Sequence, residues 1–349
     1  MCSALDGEQP WCPKESGESI KPMRSVLSPI VLMAASFVIA VGLFEFACRT
    51  IVDTGMHYHL EMWKYAVSVK EVSDDPTIGH RHKPSSTARL MGVDVSINSD
   101  GLRDDSRNRK SADATKILML GDSITFGWGV PQNETVSQRL ESSLSQGMGR
   151  AVSVINSGVG NYNTSMEVAW FEQYGLAMKP DLVVLNVFIN DAEETPTPAV
   201  VHWYDTILYS RVILFGAFDT VRRLIFGGHD WKDYYTNLYL PDAAGWQVMQ
   251  WSISNLAEMC RANNIPLIVV DYPELRELEP YPFDEVSEKV SALAADLNVE
   301  YVSVLPAVQG QNPSDLWVTV PDPHPNSYAN KLFAEFLEPI IGLAANPTN

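Results

Sequence analysis

The sequence predicts an α/β protein, a five-stranded parallel sheet covered by helices on both faces and preceded by one membrane-spanning helix. Three observations carry this. Five short apolar runs alternate with helical patterns between residues 115 and 345, the signature of strand–helix units that bury a parallel sheet on both faces. A run without charge from Val26 to Phe44 is longer than a core helix needs. Of 349 residues, 46% are hydrophobic and 19% charged, which suits a sizeable core and excludes disorder over most of the length.

Residues 1–28 read as a short cytoplasmic tail and residues 29–54 as a transmembrane anchor. Ser28 suits an N-cap, Pro29 the first helical position, and Gly55 the residue just past the end. About 20 helical residues at 1.5 Å rise cover a hydrocarbon core of roughly 30 Å. Glu45 and Arg49 stand four apart and neutralise each other at the interface. No small-residue cleavage site follows the apolar run, and Glu45 occupies a place that lipid attachment at Cys48 would need apolar. Lys14, Lys21 and Arg24 precede the span while Arg49 and Lys64 follow it, so the positive-inside rule places the remainder on the extracytoplasmic, periplasmic side of the inner membrane.

Residues 55–114 read as an irregular connector. Tyr58, Leu60, Met62, Trp63, Tyr65 and Ala66 give an amphipathic helix within 57–72, and Val93, Val95 and Ile97 alternate as a strand. His57, His59, His80 and His82 lack further ligands nearby and read as surface histidines. The domain proper covers 115–345, with strands at 117–120, 152–155, 182–188, 266–270 and 302–304. Helices are expected over 134–146, 166–178, 286–297 and 326–341, with another ending at 256–263. Between 193 and 246 the alternation breaks, and Trp203, Tyr204, Tyr209, Phe215, Phe218, Phe226, Trp231, Tyr234, Tyr235, Tyr239 and Trp246 crowd into a lid or side wall. Packing of an extra helical pair accounts for most of these rings.

Charge and cysteine usage exclude other classes. The 43 acidic against 25 basic residues leave −18, which repels phosphate backbones, so no nucleic-acid partner is expected. Cys2, Cys12, Cys48 and Cys260 contain no C-x-x-C spacing, so neither a zinc ribbon nor a dense disulfide framework is indicated. Cys260 reads as a small apolar packer.

Four blocks can carry chemistry. Gly121-Asp122-Ser123 follows a strand, where a hydroxyl would meet the start of a helix. Thr125 replaces the last glycine of a Gly-x-Ser-x-Gly elbow. The block from Asn156 through Gly158 and Gly160 to Asn161 lets backbone N–H groups approach a ligand. Asn190-Asp191 ends the middle strand, where the Asn190 amide can donate to an oxyanion. In Pro321-Asp322-Pro323-His324-Pro325-Asn326 the imidazole has a carboxylate two residues upstream, as a base for a serine requires, with Pro325 and Asn326 opening the last helix.

In this order the four blocks resemble the SGNH (GDSL-type) hydrolase family from about Lys116 onward, and the stretch 97–103 with the single anchor is similar to its membrane-tethered bacterial members. The resemblance implies a flavodoxin-like three-layer α/β/α sandwich. It also implies Ser123 as nucleophile, His324 as general base and Asp322 as the orienting acid. The oxyanion hole would use the Ser123 N–H, a backbone N–H at Gly160 or Asn161, and the Asn190 side chain, with Asp122 and Asp191 in support and no metal or organic cofactor. Three departures stand out: Phe188 replaces the glycine of Gly-x-Asn-Asp, Asn161 stands where the donor glycine falls, and Asp322 is two rather than three residues before the histidine. The expected activity is hydrolysis of an acylated glycan or lipid ester. The alternatives are O-acetyl transfer to a polysaccharide by the same nucleophile, and a non-catalytic binding or assembly protein on the same fold.

Overall fold

The computed structural model describes residues 24–104, 113–196, 206–226, 231–320 and 322–346. Of the expected tail 1–28, residues 1–23, with Cys2, Cys12, Lys14 and Lys21, lie outside the described residues, as do Trp203 and Tyr204. Two compact units divide the chain, Met1–Ala47 and Cys48–Asn349.

The first unit holds helix α1 (Arg24–Ala47). With the turn of π-helix that follows, Pro29–Val52 is 24 residues long with a mean hydropathy of 2.3, long and apolar enough to cross a membrane. Pro29 lies inside α1 and does not begin it. The residues from Arg24 are helical already, so the expected Ser28 cap is not used.

In the second unit the elements run α2 (Tyr58–Val69), β1 (Lys70–Val72), β2 (His80–His82), β3 (Thr87–Leu90), β4 (Val93–Ser96), β5 (Thr115–Leu120), α3 (Ser123–Phe126), α4 (Val136–Met148), β6 (Val152–Asn156) and α5 (Thr164–Trp170). They continue β7 (Leu182–Val187), α6 (Tyr209–Phe226), α7 (Trp231–Leu238), α8 (Ala244–Ala262), β8 (Leu267–Asp271), α9 (Asp284–Asp296), β9 (Glu300–Ser303), β10 (Trp317–Thr319), β11 (Asp322–Pro325) and α10 (Ser327–Ala344).

The main sheet has the order β6-β5-β7-β8-β9 and every pair is parallel. Its apolar strands follow the period of two. Ile117, Met119, Val184 and Ile268 face one core with α4 and α10, while Leu118, Leu120, Val183 and Val269 face the other with α5, α8 and α9. Cys260 is buried in that second core. The result is the three-layer sandwich with a five-stranded parallel sheet. Strand β5 leads to a helix on one face and β7 to helices on the other, so their carboxyl ends flank a topological switch point, where open α/β sheets bind ligands.

The segment before β5 is more ordered than its composition suggests. Antiparallel pairs β1–β2 and β3–β4 form there, and Tyr65, Val69, Leu90, Val95 and Ile97 share a third core with Phe126 and Trp128 beside α3. The expectation of surface histidines fails at His82. Its ring is buried, and Nε2 lies 2.7 Å from the Tyr65 hydroxyl.

Candidate active site

Gly121 and Asp122 turn the chain out of β5. The Asp122 Oδ1 caps α3 by accepting from Ile124 N at 2.8 Å, which places Ser123 at the first helical position. Burial raises the Asp122 carboxyl above its ordinary range, against the bond from Ile124 and the nearby His324. Three backbone carbonyls around the end of α3 belong to Arg103, whose buried guanidinium donates to Phe126 O at 2.9 Å, Gly127 O at 2.5 Å and Val130 O at 2.6 Å. This gives the 97–103 stretch a physical purpose: it secures the turn that carries Ser123.

The far end of the chain meets that turn. Ser123 Oγ lies 2.8 Å from His324 Nε2 across 201 positions of sequence, and 3.3 Å from Asp122 Oδ2. His324 Nδ1 lies 2.5 Å from Asp322 Oδ1, which also accepts from His324 N at 3.2 Å. Because β11 is extended, residues two apart share a face, so the short Asp–His spacing brings the carboxylate to the ring. Burial alone would raise the Asp322 carboxyl; bonds from His324 and from the Trp128 indole (Nε1 to Oδ2, 2.9 Å) outweigh it and hold the group below the usual range. Asn326 is the N-cap of α10, with Oδ1 accepting from Tyr328 N at 2.9 Å and Ala329 N at 3.0 Å; Pro325 stays in the strand, contrary to the expected start of the helix.

The loop after β6 supplies a further wall. Gly158 passes so close to α3 that a Cβ would sit 2.2 Å from Phe126 N, and Asn156 ties the two loops by donating to Thr125 O at 2.7 Å. Gly160 differs from expectation as a donor: its N–H is used by the Tyr65 hydroxyl at 2.9 Å. Asn161 follows in the left-handed region, φ +66°, a conformation asparagine tolerates better than most residues. It lines the same cavity as Ser123, His324 and Asn190. The Asn190 side chain bonds to Asp122, and Asp191 closes the turn by accepting from Phe188 N at 2.8 Å. Phe188, in place of the family's glycine, lines the cavity too.

That cavity, about 200 Å³, is completed by Tyr58, Tyr235, Glu274 and Arg276. Arg276 Nη1 holds Glu274 Oε1 at 2.6 Å, and Tyr58 stacks on His324 with ring centroids 6.4 Å apart. Burial and the nearby Asp322 push the Tyr58 phenol up to about 12, so it stays a neutral O–H. A wider groove of about 770 Å³ adjoins at Asn161 and Asn190. Of the aromatics between 193 and 246, Tyr235 lines the cavity, whereas Tyr239 and Trp246 are core residues and Phe215 and Phe218 are exposed. Trp128, Glu274 and Arg276 carried no signal in the sequence, because nothing local marks them, and Tyr58 was legible as part of an amphipathic helix but not as a wall of the cavity. Among the described residues, no group of three or more His, Cys, Asp or Glu is placed to hold a metal ion.

An acidic, imidazole and hydroxyl trio is the arrangement that serine acyl-transfer enzymes share on unrelated folds, and the carboxyl end of a parallel sheet is where such α/β folds place it. Residues 119–332, more than half of the chain, match the family model described as GDSL-like lipase/acylhydrolase, and the chain belongs to that family. A comparison with curated proteins finds no match. Among solved structures, the lipase/acylhydrolase from Enterococcus faecalis is 15% identical, with 65% of this chain and 95% of that chain covered and a TM-score of 0.42. A mutant of an acetyl-xylooligosaccharide esterase from Geobacillus is 18% identical, covering 64% and 92%, with a TM-score of 0.40.

Proposed function

We propose that the chain is a serine esterase that removes short acyl groups, acetyl foremost, from a glycan on the extracytoplasmic side of the inner membrane, to which α1 tethers it. The observation that carries the mechanism is the hydrogen-bonded line from Ser123 Oγ through His324 to Asp322. Ser123 Oγ attacks the ester carbonyl carbon and passes its proton to His324 Nε2; Asp322 holds the other ring nitrogen. Collapse of the tetrahedral intermediate expels the alcohol, which takes that proton. Water then attacks the acyl-enzyme carbonyl and gives a proton to His324; the bond from the acyl carbon to Ser123 Oγ breaks, the proton passes from His324 to Oγ, and the free acid leaves. The Ser123 N–H, the Asn161 N–H and the Asn190 amide bind the oxyanion, and one such donor is worth about 2.7–4 kcal/mol in the transition state.

Cavity size and chemistry support the substrate class. A space of about 200 Å³ with Glu274, Arg276 and Asn190 in its walls suits a small acyl group beside a polar alcohol, and Tyr58 and Tyr235 offer ring faces for a sugar. Lys14, Lys21 and Arg24 on the N-terminal side of the apolar span, against Arg49 and Lys64 after it, support the orientation by the count of Lys and Arg. The wide groove meeting the cavity at Asn161 and Asn190 favours a second reading, in which a glycan hydroxyl replaces water and the acyl group is transferred. Product analysis with a glycan acceptor separates the two, since free acetate alone rules out transfer. Ser123→Ala is expected to reduce turnover of p-nitrophenyl acetate to background while the melting temperature stays near the parent's. Undiminished turnover in that variant overturns the serine mechanism.

A further inference from the structure

The loop that carries Asn161 is held from behind by residues that precede the family match. Gly160 N donates to the Tyr65 hydroxyl at 2.9 Å, and that hydroxyl lies 2.7 Å from His82 Nε2. On the next peptide group, the Gly160 carbonyl accepts from Lys70 Nζ and lies 3.1 Å from His80 Nε2. Lys70 Nζ also donates to Asn161 Oδ1 at 3.1 Å. His80 Nε2 is 3.1 Å from Lys70 Nζ as well, so one tautomer donates to the carbonyl and the other accepts from the amine. Two successive peptide groups are thus gripped by α2, β1 and β2, all outside residues 119–332.

The Gly160 carbonyl and the Asn161 N–H are the two ends of one planar trans peptide unit and point in opposite directions. Holding the oxygen end on the Lys70 side therefore aims the N–H end away from it. A cation or donor at the oxygen also polarises the unit and makes the N–H a better donor. The crowding leaves little freedom: a Cβ on Gly160 would sit 2.8 Å from the Tyr65 ring, and Asn161 is already in the left-handed region.

We propose that Lys70, supported by His80 and Tyr65, is a positioning residue that aims and polarises the Gly160–Asn161 peptide toward the oxyanion. The segment before the sheet thereby forms part of the catalytic apparatus. This rests on the reading of Asn161 N–H as an oxyanion donor. Burial lowers the Lys70 amine to about 7, and both its forms carry N–H donors for the carbonyl.

The test uses the full chain, steady-state turnover of p-nitrophenyl acetate and thermal melts. Lys70→Met is expected to lower kcat by roughly tenfold to a hundredfold, less than or equal to complete loss of one oxyanion donor, with KM within about twofold. Lys70→Arg keeps a donor to the carbonyl and is expected to recover most of the loss. Should Lys70→Met fail to fold, Tyr65→Phe, which removes the acceptor for Gly160 N–H, is expected to lower kcat in the same way without raising KM. Parental kcat in a folded Lys70→Met or Tyr65→Phe, or a fall that appears only in KM, overturns the proposal. Ser123→Ala assayed in parallel separates the two claims: if it is inactive while Lys70→Met is unimpaired, only the positioning role falls, and if it is active the hydrolase reading falls first.

Discussion

Asp322 and His324 are separated by one proline, and the extended backbone of β11 makes that spacing sufficient, because alternate residues of a strand share a face. What the spacing does not supply is a second partner for the carboxylate. Trp128 does, through Nε1 to Oδ2 at 2.9 Å, and its ring centroid lies 6.2 Å from that of His324. Trp128→Phe keeps most of the packing and removes one donor from a fully buried carboxylate. The expected outcome is a loss of about 1–3 kcal/mol in unfolding free energy by denaturant titration, together with lower kcat. Unchanged stability and kcat would show that the indole bond is dispensable. Ser123, Asp322 and His324 stood out in the sequence because motif order links distant blocks. Trp128 did not, since its partner lies 194 positions away and a tryptophan beside glycines has no local mark. Which of Gly160 and Asn161 is free to donate was not legible for a related reason, since the Gly160 N–H is taken by Tyr65 from a segment with no recognised motif.

At the scale of elements, β5, β6, β7 and β8 were legible because each is buried on both faces and so reads as a continuous apolar run, whereas the edge strand β9 is only partly buried. Of the pairs β1–β2 and β3–β4, β4 was legible in the alternation of Val93, Val95 and Ile97, but its partner and the first pair were not: Lys70–Val72 and Thr87–Leu90 are short and partly polar, and β3 and β4 pack against the loops of the main sheet. Helix α5 shows a different limit. It buries Glu167, whose two carboxyl oxygens have no hydrogen-bond partner among the described residues. Burial, with the neighbouring Asp191 and Asp122, raises that carboxyl well above 4.5, so the folded chain keeps a proton that the unfolded chain releases. Stability from this group is therefore present below the ordinary value and is lost as pH rises above it. Glu167→Gln needs no proton, so the melting temperature of the variant minus that of the parent is expected to grow as the pH rises above about 4.5. Parallel melting curves across that range would remove Glu167 as a source of pH sensitivity.

For the whole molecule, the sheet order brings residues from the start and the end of the Cys48–Asn349 unit to one rim, and the connections after β5 and β7 leave on opposite faces of the sheet, which opens a crevice between them. The segment before β5, expected to be a connector, contributes Tyr58 to the cavity and Arg103 to the turn that bears Ser123. The rim is expected to activate one hydroxyl, that of Ser123. A fluorophosphonate probe reacts only with an activated serine, so mass-spectrometric mapping of the labelled full-length protein tests it directly. Modification is predicted at Ser123 and is predicted to disappear in His324→Ala; absence of labelling at Ser123, or labelling that persists without the imidazole, would contradict it.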